Sequence, residues 1–347
     1  MNRRLRTVLL VAAAAAVLAG VGPVAVAAPV APVTRCALDD PRLDEVSGLA
    51  VTPTGPAVVN DSGNATVVYT LAPDCSVAAT RRVGVTGRDV EDLARGSDGT
   101  LWLADIGDND RRRASIALIR LPVRGPATVL RLAYPDGPHD AETLLLPADG
   151  RPVIVTKDLG GRSGVYTTDA PPAGAAPTPL RRAGELVVPL SSTEGGPIGP
   201  FGRGLFTGGA LSADGRVAAV RTYTDAWLYP VAGGTADDVV AGLRGAPVGV
   251  PLAGEPQGEA IAFTADGTLL SAGESGDSGG RASLRAVPGA AGLVGTTPVT
   301  AAPAPGTPGS ADAPSGPPVV VGEVVVAAVV VLGVVGGVAL ALRARRR

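Results

Sequence analysis

Apolar and polar positions along this chain alternate in short runs, and the runs come in pairs. The clearest pair is Val90-Glu-Asp-Leu-Ala-Arg95 and Leu101-Trp-Leu-Ala-Asp105, joined through Asp98-Gly99. That pattern predicts two strands and a tight turn, with Asp98-Gly99 supplying the positive backbone φ angles of a hairpin. The same sentence recurs. Glu142 leads to Asp149-Gly150 and then Val153-Ile-Val-Thr156, and Glu259 leads to Asp266-Gly267 and then Thr268-Leu-Leu-Ser271. In all three copies the Glu stands seven residues before the turn Asp. Thr207 holds that place before Asp214-Gly215, and Ser47 before Thr54-Gly55.

Further strands are expected over 35–38, 66–71, 115–121, 127–134, 164–168, 185–189, 216–221 and 226–231. The equivalent positions 47, 91, 142, 207 and 259 lie 44, 51, 65 and 52 residues apart. Repeats near this length with four short strands each predict an all-β fold, a β-propeller. Five blades are visible, or six if the long third repeat conceals one. No amphipathic helix competes with this pattern. Each four-stranded sheet has two apolar faces, so the blades must stack into a ring, and residues 35–39 are placed to complete the last blade.

The termini read differently. Residues 1–27 carry Arg3, Arg4 and Arg6, an apolar run, and Ala25-Val-Ala27, the pattern of a cleaved secretory signal peptide. Residues 28–35 form a linker and 36–290 the propeller. Residues 291–318, rich in Pro, Ala, Gly and Ser, read as a stalk. Residues 319–342 are apolar apart from Glu323 at the outer edge, long enough for a transmembrane helix. The basic tail 343–347 then predicts a single-pass type I protein in the cell membrane, propeller outside and C-terminus in the cytoplasm. No Leu-Pro-x-Thr-Gly-type wall-sorting site precedes the span. The two cysteines, Cys36 and Cys75, both fall in the exported part and are expected to form a disulfide. A net charge of -2 without a basic face excludes nucleic acid as a partner.

With its Asp105-Ile-Gly-Asp-Asn109 and Gln257-Gly-Glu-Ala-Ile-Ala-Phe263…Gly273-Glu-Ser-Gly276 copies, the repeat resembles bacterial extracytoplasmic propellers of the NHL, SMP-30 and phytase-like kind. The resemblance spans most of 40–287 and implies architecture more than activity. Phytase-like relatives hydrolyse phosphoesters with calcium and basic residues, which would give Lys157 and Arg221 such parts. Lactonase-like relatives hold one metal on Glu, Asn and Asp, types that Glu91, Asn109 and Glu142 offer without a matching spacing.

The first strand of a blade lines the channel, so Glu91, Glu142 and Glu259 are expected to converge, with Ser47 and Thr207 completing their ring. A second tier follows the next strand: Asp61, Asp105, Lys157, Arg221 and Glu274. Together they make a ligand mouth. Oxygen donors suit Ca²⁺, with Glu91, Glu142, Glu259 and Asp105 as ligand candidates. The competing reading has each Glu accept backbone N–H bonds from the next blade and merely fasten neighbours. The lone His139 precedes Glu142 and is a catalytic candidate with it. The 105–110 loop lacks the ligand spacing of a calcium-binding helix-loop-helix, and Gly276-Asp-Ser-Gly-Gly280 resembles a serine-protease motif without its supporting context. Two functions follow. One is a surface module that binds a small molecule, wall component or protein. The other is a Ca²⁺-dependent hydrolase of phosphoesters or lactones.

Overall fold

Five hairpins written in series leave five first strands with one unpaired edge each, and the computed structural model shows where those edges go. It describes residues 31–61, 63–275 and 280–295. After β1 (Val33–Ala37), blade 1 contains β2 (Val46–Thr52), β3 (Gly55–Asn60), β4 (Val67–Leu71) and β5 (Val77–Arg82). Blade 2 follows with β6 (Val90–Arg95), β7 (Leu101–Asp105), β8 (Ile116–Leu121) and β9 (Thr128–Ala133). Blade 3 has β10 (Ala141–Leu145), β11 (Val153–Thr156) and β12 (Arg162–Thr167). The short β13 (Thr178–Pro179) then leaves for blade 2 before β14 (Arg181–Val187) completes blade 3. Blade 4 comprises β15 (Phe206–Leu211), β16 (Val217–Thr222), β17 (Asp225–Pro230) and, after the helix α1 (Ala236–Gly242), β18 (Val248–Pro251). Blade 5 has β19 (Gln257–Phe263), β20 (Leu269–Glu274) and β21 (Ser283–Val287), and it takes β1 as its outermost strand. The first strands touch in a closed cycle, β2 to β6 to β10 to β15 to β19 and back to β2. This is a five-bladed β-propeller.

The long third repeat hides no sixth blade. Its extra residues form β13, which adds to β9 in parallel as a brace on blade 2, and a loop with a 3-10 turn at Gly199–Gly204. The hairpin turns differ in one detail from expectation. Only the glycines adopt positive φ, at 82°, 75°, 70° and 79° for Gly99, Gly150, Gly215 and Gly267. Each preceding Asp instead uses its carboxylate, accepting the N–H two residues on at 3.0–3.2 Å, the Asx turn of such sequences. Helix α1 was not expected. Its seven residues are too few to show a helical period, and it stands on a capping box between Thr235 and Asp238.

Packing follows the ring. The described core forms five clusters, one at each junction of adjacent blades, for example Leu103, Ile119 and Leu93 of blade 2 against Val59, Val68 and Ala50 of blade 1. A fully buried Leu or Val contributes about 1.5–3 kcal/mol, so the junctions hold the ring together. Closure matches expectation: β1 pairs antiparallel with β21, Val33 opposite Ala286 and Ala37 opposite Ser283. Strand β1 therefore begins inside the segment read as linker, and packed chain continues to Val294, just past the expected boundary at 290. The Cys36–Cys75 disulfide ties β1 of blade 5 to the β4–β5 turn of blade 1, across the closure. The signal-peptide segment 1–27, most of the stalk, the apolar segment 319–342 and the tail lie outside the described residues. Among the described residues no helix is long and apolar enough to cross a membrane.

The disulfide spans a sequence separation of 39. Cys36→Ser is expected to lower unfolding free energy by about 3–4 kcal/mol, read as a drop in the urea midpoint that reductant reproduces in the native chain.

Candidate functional site

Each first strand carries one irregularity at the same place. Its pairing with the second strand slips between Val46 and Gly48, Val90 and Asp92, Ala141 and Thr143, Phe206 and Gly208, and Gly258 and Ala260. The residues skipped are Ser47, Glu91, Glu142, Thr207 and Glu259, the five equivalent positions of the repeat. A bulge leaves its extra residue unpaired and re-aims its side chain. Here five bulges turn five polar side chains toward one end of the hub. The two hydroxyls fasten blades: Ser47 Oγ donates to Val90 O at 2.8 Å and Thr207 Oγ1 to Gly258 O at 3.0 Å. Among the described residues no backbone N–H donates to the three glutamates, so the fastening role expected of them falls to the hydroxyls.

The glutamates face one another's surroundings instead. Glu142 Oε1 pairs with Lys157 Nζ, which also donates to Tyr223 Oη at 2.9 Å. Glu259 Oε1 accepts from Gln257 Nε2 at 2.9 Å. The second oxygens, Glu142 Oε2 and Glu259 Oε2, are buried with no hydrogen-bond partner. Glu91 stands with Asp61 and Asp89, one carboxylate oxygen from each lying within 4.8 Å of the others. Gly107 makes that grouping possible, because a side chain there would collide with Glu91 Oε1 and come within 2.6 Å of Asp89 Oδ2. The three glutamates are only 3–5% exposed.

Burial of that much like charge holds protons. Desolvation raises the Glu91 carboxyl well above the usual range, with Asp61, Glu142 and Asp89 adding repulsion and Lys157 opposing. Desolvation likewise lifts Glu142, against the pull of Lys157, and lifts Glu259 together with Glu274 and Asp61. Glu274 is pushed up to about 8 by burial and then by Asp61. For Lys157 burial works against the charge, but Glu142, Tyr223, Asp140 and Glu259 outweigh it, and the ammonium stays protonated beyond its ordinary range.

Of the expected second tier, Asp61, Lys157 and Glu274 reach the mouth; Asp105 and Arg221 do not. The backbone register explains this. Asp61 N and Lys157 N donate to the carbonyls of Glu45 and Asp140 at 2.9 Å, two residues before the bulge, and Gln257 pairs with Glu274. In blade 2 the corresponding donor is Gly107 N, to Asp89 O, and in blade 4 the residue beyond the Phe206–Thr222 pair is Tyr223. By strand register Asp105 sits one residue short of the tier, at the place of Asn60, Thr156, Thr222 and Gly273, and Arg221 sits two short. Asp105 is no ligand candidate: its Oδ1 accepts from Arg88 N, Asp89 N and Arg113 Nη2 at 3.1, 3.0 and 2.9 Å. Arg221 is wholly buried between blades 4 and 5, donating to Glu255 Oε2 and Ser271 Oγ, both at 2.7 Å. His139 is bonded to Asp136 Oδ1 and Tyr166 Oη, each at 3.0 Å, and not to Glu142. Asn109 is exposed on the 105–110 loop.

Four residues escaped sequence reasoning: Asp89, Gly107, Tyr223 and Asp92. A signal for the first was present, since Glu45, Asp89, Asp140 and Gln257 all stand two before an equivalent position. Asp92 is the one acid directly after such a position, where Gly48, Thr143, Gly208 and Ala260 stand in the other blades. It is fully buried, with Oδ1 accepting from Leu93 N at 2.8 Å and Oδ2 from Leu144 N and Gly209 N at 2.8 and 3.1 Å. One carboxyl thus joins blades 2, 3 and 4, although burial pushes it up to about 8.

No protein-family model matches the chain, and no curated protein matches it. Among solved structures it is similar to a luciferin-regenerating enzyme (14% identity, TM-score 0.40, covering 71% of this chain and 79% of that one). It is also similar to a gluconolactonase of Xanthomonas campestris (14%, 0.38, 70% and 72%) and to the PQQ-bound aldose sugar dehydrogenase of Streptomyces coelicolor (12%, 0.38, 75% and 96%). At these values the likenesses assign neither family nor activity.

Replacing Asp92 by Ala strands the amides of Leu144 and Gly209 in the hub. The expected loss is about 2–4 kcal/mol of unfolding free energy, read by urea denaturation, with a change below 0.5 kcal/mol contradicting the bridging role.

Proposed function

We propose that this chain is an exported, membrane-tethered binding module whose mouth holds a divalent cation of the calcium type. The observation that carries the reading is the pair of buried carboxylate oxygens without a donor, Glu142 Oε2 and Glu259 Oε2, beside the Asp61–Asp89–Glu91 trio. A buried carboxylate needs a donor, a proton or a cation. Every side chain that meets here offers oxygen except Lys157, and none is His or Cys. Such a set suits Ca²⁺ or Mg²⁺ over zinc or copper. The Cys36–Cys75 disulfide supports an oxidising compartment, in line with the leader-like start and the apolar segment near the C-terminus. The ring would then present its mouth, with the ion, to a small molecule, wall component or protein outside the cell.

A second reading, a metal-dependent hydrolase of phosphoesters or lactones, is favoured by one arrangement. Lys157 donates to Glu142 and Tyr223 in the mouth that also holds Glu274, whose carboxyl at about 8 is matched to proton transfer near neutral pH. Turnover in an ester, lactone and phosphate screen that chelation abolishes would select it.

Titration of the ectodomain with Ca²⁺ at pH 7.5 is expected to show binding that Glu91→Gln weakens at least tenfold while the circular dichroism spectrum is unchanged. Absence of heat and of any melting shift would end the metal reading.

The raised carboxyls also set the sign of a pH effect. Between the ordinary Glu value of 4.5 and about 8 the folded mouth keeps protons that the unfolded chain has released. Stability therefore falls as pH rises through that window and levels off above it. Melting temperature measured without metal should decline from pH 5 to pH 8, and saturating Ca²⁺ should flatten the slope.

A further inference from the structure

The carboxyls of the mouth are not equally served. Asp61, Asp89, Glu91, Glu142, Glu259 and Glu274 converge there, and Lys157 is the one cation that acts on all three bulge glutamates. Its position is built. The Lys157 backbone N–H is tied to Asp140 O at 2.9 Å, and its side chain, 14% exposed, turns inward to Glu142 Oε1 and Tyr223 Oη. The Tyr223 ring lies 5.2 Å from Nζ, adding a cation–π contact. An ammonium is a compact point charge, and here it stands where an ion would bind Glu142.

In the same mouth, Asp61, Asp89 and Glu91 group within 4.8 Å in the space that Gly107 leaves open. No Lys or Arg side chain is paired with Glu91 among the described residues. Glu142 Oε2 and Glu259 Oε2 remain buried and without a donor, although Glu142 Oε1 already has Lys157.

We infer that the mouth is a two-cation site in which Lys157 supplies one cation from within the chain, in the Glu142–Glu259 half, and leaves the Asp61–Asp89–Glu91 half for one external divalent ion. This rests on the cation-binding reading above and adds a stoichiometry to it. The tethered ammonium makes the site take one ion where its carboxyls would hold two, and it keeps the ring neutralised on one side when no ion is bound. Ca²⁺ draws six to eight oxygens around itself. With the ammonium gone, both oxygens of Glu142, Glu259 Oε2 and Tyr223 Oη offer a second set.

The test is Ca²⁺ stoichiometry by calorimetry and by metal content after equilibrium dialysis at pH 7.5. The native ectodomain is expected to hold one equivalent, Lys157→Met two, Lys157→Arg one, and the double variant Lys157→Met/Glu142→Gln one. If the native protein holds one and Lys157→Met also holds one with affinity within threefold, the inference is overturned while the cation reading stands. If the native protein holds none and Lys157→Met holds one, the open half is no site but Lys157 does occupy an ion's place. If neither binds, both ideas fall. Should Lys157→Met fail to fold, the double variant decides. Folding with one equivalent supports the tethered cation, since the counter-charge was removed with it, and an unfolded double variant or one holding two equivalents overturns it.

Discussion

A five-membered ring of sheets meets at its hub along five strand edges, and those edges carry amides that no further strand can take up. The carboxyl of Asp92 answers this, accepting from Leu93, Leu144 and Gly209 and so binding three blades through one side chain. Backbone groups left unpaired away from water are as costly as lost hydrogen bonds, and the hub has no room for loose solutions. The remaining junctions can then be apolar. Five clusters of mostly small and branched side chains fill them, and most of the chain's few aromatics lie among these.

The same geometry produces the mouth. A bulge in every first strand is the price of turning its pleat toward the axis, and it aims one side chain per blade at the same end. What those side chains do depends on their chemistry. Ser47 and Thr207 reach a carbonyl of the following blade and become stitches. Glu91, Glu142 and Glu259 make no such bond to a neighbouring carbonyl among the described residues and gather near one another instead. Blade fastening and a buried carboxylate cluster are thus two outcomes at one repeated position.

Much of this was legible in the residues. The hairpins, the propeller architecture, the closure by residues near Arg35 and the Cys36–Cys75 bond follow from local turn chemistry and from a repeat seen five times, while the choice between five blades and six does not. The convergence of Glu91, Glu142 and Glu259 was readable for the same reason. The second tier was not, because the number of residues across each hairpin differs between blades, from Gly48–Val59 to Gly208–Arg221, and spacing alone does not reveal it. Counting from the hairpin lands on Asp105 and Arg221, while the chain brings Gly107 and Tyr223 to the mouth. Arg221 shows the deeper difficulty: its partner Glu255 lies across a blade junction, and nothing near Arg221 in sequence marks it as buried. Asp92 stood out only as an acid where its counterparts are small or hydroxylic, an exception that has meaning once the hub is seen.

The circular closure has a temporal side. A chain made from its N-terminus releases β1 first, yet its pairing partner β21 is among the last strands to emerge, so the opening segment must wait through the synthesis of nearly the whole ring. Cys75 arrives early, within the first blade. Once Cys36 is joined to it, the waiting strand is moored beside the gap that the final blade will enter, and ring completion becomes the docking of a late arrival onto a berth already held in place.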